Sequence, residues 1–321
     1  MTRINVGVLR GGPSNEYDIS LITGAAVLDN LPEEKYNVKD ILISKNGEWH
    51  SRGIPVSPEK ALRGIDVVFN ALHGEYGEDG EVQKLLDAHL IPYTGSGVFA
   101  SSLAMNKSKA HSFAKNIPGI KVPEFVVVRN NESLKEASQK VFAQFGPKYI
   151  VKPLRGGSSL GIAIAESVSD LPRVLSDAFE STDSVIVEQF ISGKEGTCGV
   201  LNDFRESKTY SLPPIEIINN EHFWSYDCKY DDSTEEICPA NFSTSEKATI
   251  EGASRAIHDA LGLEHYSRSD FIISPSGIYY LETNTLPGLT PSCLLPKALD
   301  AVGVTVPEFL DHVVTLAIKK G

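Results

Sequence analysis

Apolar and polar positions along the first third of the chain change period in the order strand, helix, strand. Residues 4–9 form an apolar run that ends at Gly11-Gly12-Pro13-Ser14, the pattern of a buried parallel strand and its loop. Ile19, Ile22, Ala26 and Leu31 then recur at roughly helical spacing, with Asp18 or Ser20 as the expected N-cap. Residues 38–44 and 65–72 read as the second and third strands. This order predicts an open, mostly parallel sheet covered by helices. Ligands of such sheets collect at the carboxyl ends of the strands. Two loops fall there: Gly11 to Glu16, and the glycine-rich, acidic His73-Gly74-Glu75-Tyr76-Gly77-Glu78-Asp79-Gly80.

The pattern changes after residue 122. Residues 126–128 read as a strand, 132–145 as a helix and 148–151 as a strand that ends in Lys152-Pro153. The Gly/Ser loop Arg155-Gly156-Gly157-Ser158-Ser159-Leu160-Gly161 leads from it into another strand. Such a hairpin flap can close over phosphates with free N–H groups and hydroxyls, and Lys152 adds a point charge. Residues 171–179 are helical, and 184–191 form a strand running into a linker. An edge segment of this kind suits an adenine ring, and Glu195 beyond it can accept from ribose hydroxyls. Residues 223–239 carry aromatic residues without either period, as lids do. Residues 249–261 are an amphipathic helix with Ile250, Ile257 and Leu261 on one face. A last helix starts at Val306-Pro307, capped by Thr305, with Lys319 and Lys320 at its negative end.

Before that helix, two apolar runs, 271–273 and 278–281, flank Ser274-Pro275-Ser276-Gly277 and predict a hairpin. A turn centred on Pro275 sets Asp270 opposite Tyr280, with Glu282 as its diagonal neighbour. Glu282 and Asn284, two apart, share one face. Two carboxylates and an amide oxygen are hard donors that suit Mg²⁺ shared with phosphate oxygens. Polar residues on the wet face of an ordinary hairpin would look the same. The turn Thr285-Leu286-Pro287-Gly288-Leu289-Thr290 favours the chemical reading, because its N–H groups suit an anion or a developing oxyanion.

Composition narrows the picture. At 321 residues the chain exceeds one ordinary core, so several domains are expected. With 41% hydrophobic and 22% charged residues it is globular, and a net charge of −12 disfavours nucleic acid or an anionic membrane as partner. A phosphate site must therefore be a local basic pocket. The four cysteines, Cys198, Cys228, Cys238 and Cys293, have no zinc or redox spacing and read as reduced thiols of a cytoplasmic protein. No signal-peptide core and no membrane-length apolar run is found. Neither a P-loop nor H-E-x-x-H is present. The G-x-G-x-x-A at Gly95–Ala100 comes too late in the chain for a dinucleotide fingerprint, and Asn106-Lys107-Ser108-Lys109 follows it.

Taken together the motifs resemble the D-alanine–D-alanine ligase family of the ATP-grasp superfamily, over nearly the whole chain. The matching pieces are Gly11-Gly12-x-Ser14-x-Glu16, His73-Gly74-x-x-Gly77-Glu78-Asp79-Gly80, Tyr93-Thr94-Gly95-Ser96-Gly97, Lys152-Pro153 with Gly157-Ser158-Ser159-x-Gly161, Lys229-Tyr230, Arg268-x-Asp270-Phe271 and Glu282-x-Asn284-Thr285-x-Pro287-Gly288. They stand in the family's order. The resemblance implies an α/β ATP-grasp fold: an N-terminal open parallel α/β domain (1–104) and two α+β domains, a central one with the flap (105–187) and a C-terminal one with the lid and metal site (188–321). The implied reaction is ATP-dependent ligation of two D-alanines through D-alanyl phosphate, for peptidoglycan precursor synthesis, in a cytoplasmic homodimer with no nucleic-acid or membrane partner.

By the same resemblance Asp270, Glu282 and Asn284 would hold two Mg²⁺ ions, or Mn²⁺, at the β- and γ-phosphates. Lys107, Lys152, Ser158 and Ser159 would contact the phosphates. Glu188, Gln189, Phe190, Ile191 and Glu195 would take adenine and ribose, and Lys229 would also bind the nucleotide. Arg268 and the Gly288 N–H would stabilise the tetrahedral oxyanion. Glu16 would pair with the first D-alanine's ammonium, and its hydrogen-bond chain would run through Ser158 and Tyr230. His73, Glu78, Cys293 and Leu294 would line the D-alanine sites. The chain departs from the family pattern at Gly156, where many members carry an acid, and at Tyr17, where a histidine is common. Cys293 stands where a serine often contacts the second substrate's carboxylate, and a thiol is the weaker donor. The alternatives are D-lactate as second substrate, an ATP-grasp module without catalysis, and another carboxylate–amine ligase. Tyr230 after the lid lysine goes with the dipeptide in the family and favours D-alanine.

Overall fold

The computed structural model describes residues 3–157, 161–219 and 234–320. The chain opens with β1 (Ile4–Gly11), α1 (Tyr17–Asn30), β2 (Tyr36–Ile43), β3 (Trp49–Ser51), β4 (Ile54–Pro55), α2 (Pro58–Ala61), β5 (Val67–Asn70), α3 (Glu81–Ala88) and α4 (Val98–Met105). The strands form a sheet ordered β4-β3-β2-β1-β5. β1 pairs in parallel with β2 and β5, while β3 and β4 extend the edge antiparallel. Both faces are covered, as a parallel sheet requires. Val6, Val8, Val67 and Phe69 pack on one side, while Leu9 and Val68 join a separate cluster with Leu86 of α3 on the other.

Helix α1 differs from expectation. Neither Asp18 nor Ser20 caps it; the N-cap position is Glu16, without a side-chain cap bond. Ser20 lies inside the helix, where its hydroxyl accepts from Gly11 N and donates to Ala71 O, each at 2.8 Å. The buried face is Ser20, Thr23, Gly24 and Val27, and Ile22 is exposed. Small and hydroxylated side chains let the helix lie close to the loops it braces, so hydrophobicity marked the wrong face.

The middle of the chain runs α5 (Lys107–Ala114), β6 (Ile120–Lys121), β7 (Phe125–Arg129), α6 (Leu134–Gln144), β8 (Tyr149–Pro153), β9 (Ala163–Ala165), α7 (Leu171–Ala178) and β10 (Ser184–Gln189). Its sheet is ordered β7-β10-β8-β9, and β8 and β9 are antiparallel arms of the expected flap hairpin. The period-two alternation decides its faces. Tyr149, Val151, Val185 and Val187 pack against Val141 of α6 and Leu175 of α7. Ile150, Lys152 and Glu188 point to the other side, into a slot.

The remainder is β11 (Lys194–Phe204), β12 (Ser207–Ser211), β13 (Ile215–Asn219), β14 (Thr234–Ile237), α8 (Thr244–Ala260), β15 (Tyr266–Ser274), β16 (Gly277–Asn284), α9 (Leu294–Asp300) and α10 (Val306–Lys320). The sheet runs β14-β13-β11-β15-β16-β6, with β12 on β11. Helix α8 begins earlier than its apolar face suggested, at a capping box in which Ser243 and Glu246 bond reciprocally. Thr305 and Glu308 make the equivalent pair before α10. β14 falls in the stretch read as an aperiodic lid; the rest of that stretch, through residue 233, lies outside the described residues. No described helix is long and apolar enough to cross a membrane.

The hairpin register corrects the sequence reading. Ser274 pairs with Gly277 and Phe271 with Tyr280, but Asp270 pairs with Glu282, so Leu281 is an extra residue. A bulge of this kind reverses which face the following residues occupy. Tyr280 points into the core with Phe271. Beyond the bulge Glu282 faces the cleft. Without the bulge Glu282 would share the core face with Tyr280.

Candidate active site

The late hairpin forms one wall of the cleft. Arg268 and Asp270 stand two apart on β15, and Arg268 Nε and Nη2 donate to the two carboxylate oxygens of Asp270 at 3.0 Å each. Parallel charge-assisted bonds of this kind fix both planes. Thr197 of β11, the ladder partner of Asp270, donates to its Oδ1 at 2.5 Å. Burial opposes charge on Arg268, but Asp270 outweighs it and the pKa is raised, so the guanidinium is a permanent cation. Asn284 is the ladder partner of Arg268, and its Oδ1 accepts from Leu286 N at 2.9 Å.

The turn after β16 is held from the first sheet. Glu78 Oε2 accepts from Thr285 N at 3.0 Å, Thr285 Oγ1 at 2.9 Å and Leu286 N at 3.0 Å, and its Oε1 accepts from Gly74 N at 3.0 Å. Burial and the neighbouring Glu16 push its carboxyl up to about 7, against the pull of these donors. His73 sits beside it, with Nε2 2.8 Å from Thr23 Oγ1, while Ser14 Oγ donates to its carbonyl at 2.6 Å. Burial lowers the His73 pKa to about 4, so the ring is neutral at pH 7. Gly74 has φ +69°, and a Cβ there would come within 2.6 Å of Glu16 Oε2. A Cβ at Gly157 would lie 3.3 Å from the same oxygen, so the flap stem rests against Glu16. At the far end a Cβ on Gly288 would meet Cys293 Sγ at 2.7 Å; that thiol is 3.0 Å from Thr290 Oγ1. Leu294 follows at the start of α9 and also lines the cleft.

A second cavity, the slot, adjoins the first. Its walls include Lys152, Glu188, Phe190, Ile191, Glu195 and Asp270, with Gln189 between. Lys152 Nζ donates to Glu188 Oε2 at 2.8 Å across β8 and β10, with both side chains buried. Burial works against the Lys152 charge, but Glu188 and Glu282 outweigh it and the pKa is raised. Glu188 Oε1 is buried and accepts no hydrogen bond among the described residues. Glu282 lines both cavities, and its Oε2 lies 3.3 Å from Lys107 Nζ, which also donates to Gly156 O at 2.6 Å. A small third pocket, lined by Lys107, Lys152, Gly157 and Glu282 among others, shares residues with both cavities.

The expected residues thus converge. Glu16, His73, Glu78, Lys107, Arg268, Glu282, Asn284, Gly288, Cys293 and Leu294 line the first cavity. Lys152, Glu188, Gln189, Phe190, Ile191, Glu195 and Asp270 line the slot. Ser158, Ser159, Lys229 and Tyr230 fall outside the described residues. Sequence reasoning missed Thr197, whose bond to Asp270 spans 73 positions. It also missed Glu236 on β14, which lines the first cavity and pairs with Lys297 of α9 at 2.5 Å. Neither carries a local signal, since sheet pairing alone brings them there.

The arrangement offers a slot with mixed apolar and charged walls, two lysines beside Glu282, hard oxygen donors, and a guanidinium and a glycine turn lining one cavity. Family models match both parts of the chain: "D-ala D-ala ligase N-terminus" over residues 5–58 and 50–96, and "D-ala D-ala ligase C-terminus" over residues 115–315. The D-alanine–D-alanine ligase of Syntrophotalea carbinolica is 38% identical over 311 residues, covering 96% of this chain and 94% of that protein. Its counterpart in Geobacter sulfurreducens is 38% identical over 317 residues, 97% and 93% of the two chains. The solved D-alanine–D-alanine ligase of Bacillus anthracis complexed with ATP has a TM-score of 0.82 at 30% identity, covering 100% of this chain and 98% of that one. The VanG D-Ala:D-Ser ligase of Enterococcus faecalis gives 0.85 at 30%, covering 98% and 100%. With both parts matched and the motif residues gathered at one cleft, the chain belongs to the D-alanine–D-alanine ligase family and has its ATP-grasp fold.

Proposed function

We propose that the chain joins two D-alanine molecules at the expense of ATP, through D-alanyl phosphate, in the supply of peptidoglycan precursor. The observation that carries this reading is the shared position of Glu282, which lines both the slot and the cavity of Arg268 and Gly288. A nucleotide in the slot places its γ-phosphate at Glu282, beside a small acid in the first cavity.

The residues divide the work. Glu188, Gln189, Phe190 and Ile191 receive adenine, and Glu195 the ribose. Lys107, Lys152 and the flap with Ser158 and Ser159 hold the phosphates, with Lys229 at the same nucleotide. Glu16 takes the ammonium of the first D-alanine, whose carboxylate attacks the γ-phosphate and displaces ADP. The amine of the second D-alanine attacks the acyl phosphate, and Arg268 and the Gly288 N–H take the charge that develops on the carbonyl oxygen. His73, Glu78, Cys293 and Leu294 shape the D-alanine sites, and Tyr230 is the gate that favours an amine over a hydroxyl.

Among the described residues no group of three His, Cys, Asp or Glu is gathered to hold a metal alone. That fits Mg²⁺, which prefers one or two carboxylates plus phosphate oxygens. Asp270 and Glu282 face each other across the bulge, with Asn284 on the same side, and these are hard donors. Two Mg²⁺ ions, or Mn²⁺, would supply charge neutralisation between the β- and γ-phosphates. The three-domain division at 104 and 187, a homodimer and a cytoplasmic location complete the proposal.

Phosphate release from ATP and Mg²⁺ tests it, with D-alanine, D-serine, D-lactate and L-amino acids offered in turn. D-alanine should stimulate release most, and D-alanyl-D-alanine should accumulate. Preferential turnover of D-lactate above pH 8, or release indifferent to D-alanine, would refute the reading. Glu282→Ala should abolish turnover with an unchanged melting temperature; normal activity would refute the metal assignment.

A further inference from the structure

We propose that His111 is a positioning residue that holds the Leu281 bulge and braces Glu188, so that the two ends of the nucleotide cleft keep their register. The inference rests on the nucleotide reading above and adds a residue that no motif contains. His111 lies in α5 one turn after Lys107, on the same face of the helix. Lys107 reaches Glu282 and the flap. The His111 ring is fully buried, in edge contact with Phe125 at 5.3 Å and Tyr280 at 5.8 Å between centroids.

Its Nε2 lies 2.8 Å from Leu281 O. A carbonyl only accepts, so Nε2 carries the hydrogen and the ring is the Nε2–H tautomer. Leu281 is the residue that the β15–β16 register skips, and a bulged residue lacks a normal ladder partner. The imidazole therefore bonds to the backbone irregularity that turns Glu282 from the core into the cleft. The same Nε2 lies 3.8 Å from Glu188 Oε1, too far for a hydrogen bond but close enough to fill the space behind that carboxylate. Lys152 holds the other oxygen of Glu188. A simple core histidine would account for the burial; it would not account for a bond to the one skipped residue and a contact with Glu188 at once.

Three variants test the idea on the full chain. His111→Leu keeps volume and removes the donor, His111→Asn keeps an amide but loses reach, and His111→Gln places an amide N–H near the position of Nε2. Calorimetric binding of ADP, with and without Mg²⁺, reads the cleft without turnover. Leu and Asn should weaken Mg²⁺-dependent ADP binding about tenfold, as expected for one lost buried bond. Gln should stay within about threefold of the unaltered protein. In steady state the KM for ATP should rise in Leu and Asn while the KM for D-alanine stays within about twofold. Equal ADP affinity in Asn and Gln, or parallel loss of ATP and D-alanine binding, would overturn the positioning role. If Leu does not fold, the Asn and Gln pair decides alone. Failure of the unaltered protein to bind ADP would overturn the nucleotide reading itself, and this inference with it.

Discussion

Two buried ion pairs flank the cleft, and they are built differently. Arg268–Asp270 is closed: both oxygens of Asp270 are bonded by one guanidinium, and Thr197 adds a further donor. Lys152–Glu188 is open: one bond is made, and Glu188 Oε1 accepts none among the described residues. A closed pair holds a cation in place for charge that develops later. An open pair has an acceptor left over, and a buried acceptor without a donor is costly unless a ligand completes it. On the proposed function the first pair serves chemistry and the second binding, and each of the following experiments can break that division.

The largest effect is expected from Arg268→Ala. Removing one partner of a buried pair leaves an uncompensated charge, at about 3–5 kcal/mol in unfolding free energy. Loss of the oxyanion donor should lower kcat by about 10²–10³. Denaturant unfolding and phosphate release measure the two. A stable variant that loses only ATP affinity would move the Arg268 pair to the binding side.

Acid should act next, through buried neutral groups rather than the pairs. Burial lowers the pKa values of His73, His258 and His265 to about 4 each. An unfolded histidine has its pKa near 6.5, so below that pH the unfolded chain binds protons that the native chain refuses. Stability from these groups is complete above about 6.5 and is lost as pH falls towards 4. Glu78 has the opposite sign: its folded pKa of about 7 lies above the unfolded value, so the native chain takes up its proton first. These three histidines against one carboxyl leave a net loss of about 3 kcal/mol per pH unit between pH 6 and 5, and His111, whose pKa burial also lowers, adds to it. Unfolding followed across this range tests it. Glu78→Gln should steepen the loss, and a flat profile would refute the neutral assignment of the histidines.

Lys152→Met should cost less, because one bond is lost rather than two. It still leaves the buried Glu188 carboxylate without its cation, so about 3 kcal/mol, the low end of the range for a broken buried pair, is expected to go. ATP affinity should fall about tenfold or more while kcat at saturating ATP changes little. A collapse of kcat at saturating ATP would make this pair chemical as well.

The contrast between the pairs also explains what the sequence made legible. Arg268 and Asp270 are two apart on one strand, so their shared face follows from the period of a strand. Glu282-x-Asn284 followed by the glycine turn is readable for the same reason. Lys152 and Glu188 were each expected near a nucleotide, but their bond depends on β8 lying beside β10, which no local pattern states. The bulge at Leu281 was also hidden: one skipped residue moved Asp270 from Tyr280 to Glu282. Helix α1 failed for another reason. Its buried face is polar because Ser20 and Thr23 hydrogen-bond the loops after β1 and β5, and a rule that buries apolar residues chose Ile22 instead.

The smallest effect is expected at Cys293, where the resemblance places a thiol in the position of a common serine. Its thiol lies between Gly288 and Thr290 at the mouth of α9, on the Arg268 side of the cleft. If the Arg268 end handles the acceptor D-alanine, a stronger donor at this point should tighten that substrate and little else. Cys293→Ser replaces a weak S–H donor by a hydroxyl. One improved hydrogen bond is worth about 1 kcal/mol, so the KM for the acceptor should fall about fivefold. The KM for ATP should not move. The smaller oxygen leaves a gap against Gly288 whose cost should stay below about 1 kcal/mol in unfolding free energy. Initial rates with ATP saturating and D-alanine varied over the acceptor range measure the effect. An unchanged acceptor KM would place the second carboxylate away from Cys293, and a shift in the KM for ATP would dissolve the division between the two ends.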